Sequence, residues 1–218
     1  MQCYRPVSLN QISVPQAHFC KTNSSNDVYN NIRLKTLNGC ELRISQHRFL
    51  YNAEGGRGIG SCIKSLEHDD LKSQVPIRYD FDLKTVHIPP LTSTTCMLEG
   101  LVLVPLPPFV KVDVVPELIQ GNIYKDSGKI EFKIKFKFLF SMGSSYKVSP
   151  MHIDMTLTTE ELKGASSKST RGKRIGKEGQ CELVGITKID PVDDNYINLV
   201  LGLPSECLAS MKAIVSFF

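Results

Sequence analysis

Between residues 129 and 141, every even position from Ile130 to Phe140 is apolar and every odd position from 129 to 137 is charged. A period of two marks an extended strand with one buried and one wetted face. Ile130, Phe132, Ile134, Phe136, Phe138 and Phe140 therefore form one side, and Lys129, Glu131, Lys133, Lys135 and Lys137 the other. Burying the six apolar side chains contributes on the order of 10 kcal/mol before entropy is subtracted, at about 25 cal/mol per Å² of apolar area. Such a face requires a thick opposing apolar layer.

Similar alternation elsewhere supplies that layer. Ile77, Tyr79, Phe81 and Leu83 share one parity and Val86 and Ile88 the other, which predicts a strand with a bulge or turn near Lys84 and Thr85. A β-rich run follows and ends at Pro105, Pro107 and Pro108, because proline cannot serve a central ladder. Val110, Val112 and Val114 alternate again. Asp126, Ser127 and Gly128 supply turn chemistry between the two arms of a hairpin. Met151, Ile153, Met155 and Leu157 then oppose His152, Asp154, Thr156 and Thr158.

Further strands are expected over 181–190 and 212–218, and residues 196–203 read as a strand or a buried segment. Brief helical structure is expected at 159–164 and from Pro204 to Met211. Residues 165–180 carry almost no large apolar side chain and read as a mobile loop. The fold class expected is mainly β: an antiparallel curved sheet, barrel or two-sheet sandwich with one or two short helices.

Charge divides the chain. Residues 1–64 hold eight Lys or Arg against Asp27, Glu41 and Glu54, whereas the remainder is nearly neutral with eighteen basic and nineteen acidic residues. No acid precedes Asp27, and the segment is rich in Ser and Asn. This composition resembles that of an organelle transit peptide and lacks the apolar core of a secretory signal. Residues 1–69 are therefore expected to be a transit peptide or a disordered extension, and 70–218 a single antiparallel β domain. The chloroplast is the expected destination, with the mitochondrion the alternative. No apolar run reaches the roughly eighteen residues of a membrane-spanning helix. Cys96, Cys181 and Cys207 lie in the expected domain with no C-x-x-C pair, so buried free thiols are the expectation, with neither a zinc site nor a disulfide framework.

Candidate chemistry is sparse. Lys133, Lys135 and Lys137 on the wetted strand face, with Lys168, Arg171, Lys173 and Arg174 in the basic loop, are the candidate anion-binding groups. The loop has no interleaved aromatic residues, which disfavours stacking of single-stranded nucleic acid. Residues 172–179 have the wrong glycine spacing for a phosphate loop and place Glu178 where the motif needs Ser or Thr, and residues 55–61 follow no expected strand and lie in the expected leader, so neither points to a nucleotide site. Asp190, Asp193 and Asp194 share a turn but lack the offsets of a calcium loop. Asp80, Asp82, His87, His152 and Asp154 are the groups to inspect for acid–base chemistry. No cofactor and no metal is expected.

Three function classes remain open. The first is a non-catalytic organelle protein that binds a lipid or other hydrophobic ligand, or an anionic one, or assists assembly at a protein or an anionic membrane surface. The second is a small-pocket enzyme on the same β scaffold, and the third an RNA-contacting accessory factor. A large apolar pocket without converging titratable groups favours the first, and convergence of His and Asp in the pocket favours the second.

Overall fold

The computed structural model describes residues 31–63, 76–165 and 169–218. Its strands, in chain order, begin with β1 (Asn31–Thr36), β2 (Cys40–Ile44), β3 (His47–Tyr51), β4 (Arg57–Ile63) and β5 (Ile77–Phe81). Next come β6 (Cys96–Glu99), β7 (Leu103–Pro105), β8 (Val110–Tyr124), β9 (Lys129–Met142) and β10 (Tyr146–Lys147). The chain continues through β11 (Met151–Thr158), β12 (Glu161–Lys163), β13 (Ser169–Arg171) and β14 (Gln180–Ile189). Helix α1 (Asn195–Leu201) and β15 (Ser205–Phe217) close it.

The molecule is mainly β, built on one large antiparallel curved sheet. Eight strands, β1–β4–β5–β8–β9–β11–β14–β15, form a ring because β1 pairs with β4 on one edge and with β15 on the other. The residues 129–141 alternate as their pattern requires. Ile130, Phe132, Ile134 and Phe138 are buried, and the lysine face lies outside. Met151, Ile153, Met155 and Leu157 of β11 face inward in register with Phe138, Phe136, Ile134 and Phe132. In β8 the register slips between Pro116 and Leu118, so the inward set passes from Val110, Val112 and Val114 to Ile119 and Ile123. The Phe81 and Phe132 rings meet edge to face at 5.5 Å and 78° in the lower core. Gly58 and Gly60 of β4 make room for the Phe81 ring, since a Cβ at Gly60 would stand 3.1 Å from both Ile32 and Phe81.

Above the ring the sheet branches. The C-terminal half of β15 holds β1, while Cys207–Ser210 hand the sheet on to β2, β3, β6 and β7 in turn. β8 does the reverse: Gln120–Ile123 pair with β5, and further up the strand Leu91 bridges to Val112. The upper halves of β8 and β9 therefore face the β2–β3–β6–β7 branch across an interior left between them.

Several expectations change. Residues 31–63, placed by their leader-like composition in the extension, form β1–β4 and complete the ring. Ile32 and Leu34 alternate correctly there, but runs of five to seven residues set among Asn, Ser and Gly give a weak signal. The leader expectation for 1–30 lies outside the described residues. Residues 169–180, expected to be a mobile loop, are tethered: β13 pairs with β12, Lys173 and Glu182 exchange backbone bonds, and Ile175 N donates to Gly128 O at 3.0 Å.

Residues 161–163 form a strand where a helical turn was expected. The helix expected from Pro204 to Met211 is β15, whose inward Cys207, Ala209 and Ala213 are too small to make the period of two conspicuous. The true helix is at 195–201, where a strand or buried segment was expected. Asp194 caps it by accepting from Ile197 N at 2.9 Å, and Gly202, at φ 65°, ends it in the left-handed region.

Candidate functional site

The upper interior is a cavity of about 420 Å³. Leu42 and Ile44 of β2, Phe49 of β3 and Leu98 of β6 make one wall, and Val110, Val112, Phe138, Phe140 and Met142 of β8 and β9 face them. Met151 of β11 continues this second wall, and Leu91 and Leu106 stand beside it. Ile197, Val200 and Leu201 of α1 close the end. Five of the lining residues, Pro107, Phe109, Ser149, Tyr196 and Val200, are themselves exposed and mark the mouth. A second cavity of about 140 Å³ lies deeper in the ring and shares Leu42, Leu91 and Phe138 with the first. A single apolar interior thus runs from the packed Phe81–Phe132 layer to α1. The larger volume is within the range of small-molecule sites, roughly 300–1,000 Å³.

Few polar groups reach it. His47, Ser149 and Tyr196 are the polar residues of the larger cavity. His47 Nε2 lies 2.7 Å from Val200 O, and since a carbonyl only accepts, Nε2 carries the proton and Nδ1 is left as an acceptor in the neutral ring. Around the deeper cavity the polar tips are engaged by neighbours. Tyr51 Oη donates to Pro89 O, Thr36 Oγ1 to Ala53 O, and Ser210 Oγ to Glu182 at 2.7 Å. Glu41 is held by Arg43 and Arg48; desolvation works against its charge, and those hydrogen bonds outweigh it, leaving the carboxyl below its usual range.

The cover is fastened from several sides. Asp194 accepts from Tyr146 Oη at 2.5 Å as well as capping α1. The Tyr146 bond and then the Ile197 bond hold the Asp194 carboxyl below its usual value, while the same carboxylate pushes the Tyr146 phenol up to about 12. The Asn198 amide exchanges bonds of 2.9 and 2.8 Å with the Val192 backbone, fixing the approach to α1.

The candidate anion-binding groups do not converge on this cavity. On the outer face, Lys135 Nζ lies 2.9 Å from Asp154 and Lys137 Nζ 2.6 Å from Glu117. Glu117 sits at the β8 register slip, where the Lys137 hydrogen bond is the main cause holding its carboxyl down. Lys133 is exposed beside Asp154 and Lys163. Arg174 grips Glu160 with two bonds of 2.8 and 2.9 Å, Arg171 stands opposite Glu161 in the β12–β13 ladder, and Lys173 is exposed beyond its backbone bridge to Glu182. Lys168 lies outside the described residues.

The acid–base candidates are also scattered. Asp80 is on β5 beside Arg78, Asp82 organises the turn before Thr85, and His87 borders the deeper cavity. His152 and Asp154 flank an open cleft on the outer surface with Glu117. Among the described residues no three His, Cys, Asp or Glu side chains are grouped to hold a metal ion. Cys40, Cys96, Cys181 and Cys207 are buried free thiols. The cavity itself was not legible in the sequence; half-buried Phe136 and Phe140, on a parity otherwise buried, are its trace.

No helix among the described residues is long and apolar enough to cross a membrane. Comparison of the chain with protein-family models, with curated proteins and with solved structures finds no match in any of the three.

Proposed function

We propose that the protein is a non-catalytic binder of a hydrophobic small molecule, a lipid or a ligand of similar apolarity, seated between the β2–β3–β6 wall and the upper halves of β8 and β9. The observation that carries this reading is the cavity of about 420 Å³, whose walls are aliphatic and aromatic and whose polar lining residues are His47, Ser149 and Tyr196 alone. An apolar ligand gains by leaving water, and such a cavity imposes little cost of desolvating polar walls. The His47 ring and the Tyr196 hydroxyl offer one polar end a partner near the mouth. The enzyme alternative has less support, because His152, Asp154 and Glu117 lie on the outer face, away from the enclosed volume. The RNA alternative is weakened by the carboxylates that already engage Arg174 and face Arg171.

The chain contains no tryptophan, which makes a direct test available. Leu98→Trp places a single indole in the cavity wall, where its emission should be blue-shifted and should change saturably, at one site per chain, on titration with the apolar dye Nile red. Emission typical of water, or a response that never saturates, would defeat the proposal. A plastid location is proposed as part of the same reading, supported by the absence of acids before Asp27 and the Ser- and Asn-rich composition there. A reporter fused to residues 1–30 should enter isolated chloroplasts, and its exclusion would refute that location.

A further inference from the structure

Among the described residues, eight of the thirteen exposed large apolar side chains lie in two segments, 101–109 and 196–200, while Ile63, Leu83, Val115, Leu139 and Phe218 are exposed elsewhere. Leu101 is fully exposed at the tip of the β6–β7 hairpin, with Val102 at 69% and Leu103 at 51%, and Phe109 at 57% and Leu199 at 81% stand near it. Connectivity places them together. The hairpin tip follows Glu99, which pairs with Arg48; the next residue, His47, bonds Val200 of α1; and Gly143 N donates to Phe109 O at 2.8 Å where β9 ends. Phe109, Tyr196 and Val200 are at once part of this surface and part of the cavity mouth.

Two further features distinguish this end from ordinary exposed surface. First, residues 100–110 and 195–203 contain no charged side chain; the Arg48–Glu99 ion pair marks where the charged surface resumes. Second, the backbone in these segments asks little of water. Pro105, Pro107 and Pro108 have no N–H, and the N–H groups of Leu106 and Val110 donate to Cys96 O and Pro107 O at 3.1 and 2.9 Å. At the end of α1 the carbonyls of Asn198, Leu199 and Val200 accept from Leu203 N, Gly202 N and His47 Nε2 at 2.8, 3.3 and 2.7 Å. Carbonyls at a helix terminus have no partner within the helix and usually rely on water.

We propose that the hairpin tip, Phe109 and the outer side of α1 dock on a lipid bilayer, so that the cavity mouth opens onto the membrane and its hydrophobic ligand passes between bilayer and protein without crossing water. The proposal rests on the cavity reading above. A bilayer fits better than a second protein chain. Prolines along the β7 edge discourage an added strand, a protein seated on the rim would close the mouth, and a membrane interface rewards charge-free, internally bonded segments. The tip enters the interfacial region with aliphatic side chains leading, and Tyr196 sits at the level where amphipathic rings are favoured.

The test is flotation of the full chain with phosphatidylcholine vesicles, in low and in high salt, beside the variant L101D/V102D/L199D. These positions are exposed, and Nile red titration of the variant reports directly on the cavity. The expected result is flotation of the parent that salt does not weaken, a loss of roughly tenfold or more in the variant, and unchanged dye binding. Failure of the parent to float overturns the docking proposal, as does equal flotation of parent and variant, or flotation abolished by salt. Self-association of the parent that the three aspartates abolish, without vesicle binding, also overturns it in favour of a second copy on the rim. Salt-insensitive flotation lost in the variant, with a parent that takes up no dye, supports docking and rejects the cavity reading instead.

Discussion

The same β9 side chains show how far a residue's type decides its surroundings. Each lysine or glutamate at 129–137 faces out and each phenylalanine in, as two-residue periodicity demands, yet Phe132 is packed against Phe81 while Phe140 lines an open volume. Parity selects the side of the sheet, and what stands opposite selects the packing. The thiols give the clearest titration at this scale. Burial pushes Cys181 and Cys207 from an ordinary 9.0 up to about 12. A group whose folded value is raised contributes stability that is whole below the unfolded value and is lost as pH climbs toward the folded one. The urea midpoint should therefore fall as pH rises above 9.0, and the fall should be shallower in Cys207→Ala, whose unfolded state has one fewer thiol to ionise. Identical pH slopes in the two proteins would show that Cys207 does not contribute.

Among the elements, strands whose large side chains alternate were readable, the five-residue β5 as well as the long β9, and strands whose inward residues are few or small were not. β9 and β11 were legible because Phe, Ile and Met repeat every second residue, and the turn at Gly128 (φ 67°) carries the residue that such a φ favours. β1, β2 and β4 were missed because five to seven residues hold too few apolar positions to stand out from leader-like neighbours. α1 is a different case: seven residues without a charge look equally like a strand, and only the caps at Asp194 and Gly202 decide for a helix. Asp194 is thus the fastening of the cavity cover. In Asp194→Ala the backbone amide of Ile197 should exchange with solvent several-fold faster, while amides of β9 stay protected. Because the folded carboxyl lies below its ordinary 3.8, the fastening persists at neutral pH and should loosen only as pH falls below that value. Protection of Ile197 unchanged by the substitution would remove Asp194 from this role.

At the scale of the whole molecule, closure of the ring depends on the first described strand. β1 contributes Ile32 and Leu34 to the core and is the partner of both β4 and β15. A chain lacking residues 31–63 should therefore lose cooperative unfolding, seen as a broad, non-sigmoidal denaturation curve. A sharp transition would restore the domain boundary suggested by composition at residue 70. Local periodicity was sufficient to establish that this chain makes antiparallel strands, where its most regular hairpin turns and which side of β9 meets water, because a strand's side chains alternate whatever it pairs with. The ring, the branch at β15, the empty interior above Phe132 and the gathering of apolar tips around its mouth arise from pairings between residues far apart in the chain. Position 207 and position 44 become neighbours only when β15 and β2 pair, and a cavity is defined by the distance between walls, which no single stretch of sequence encodes.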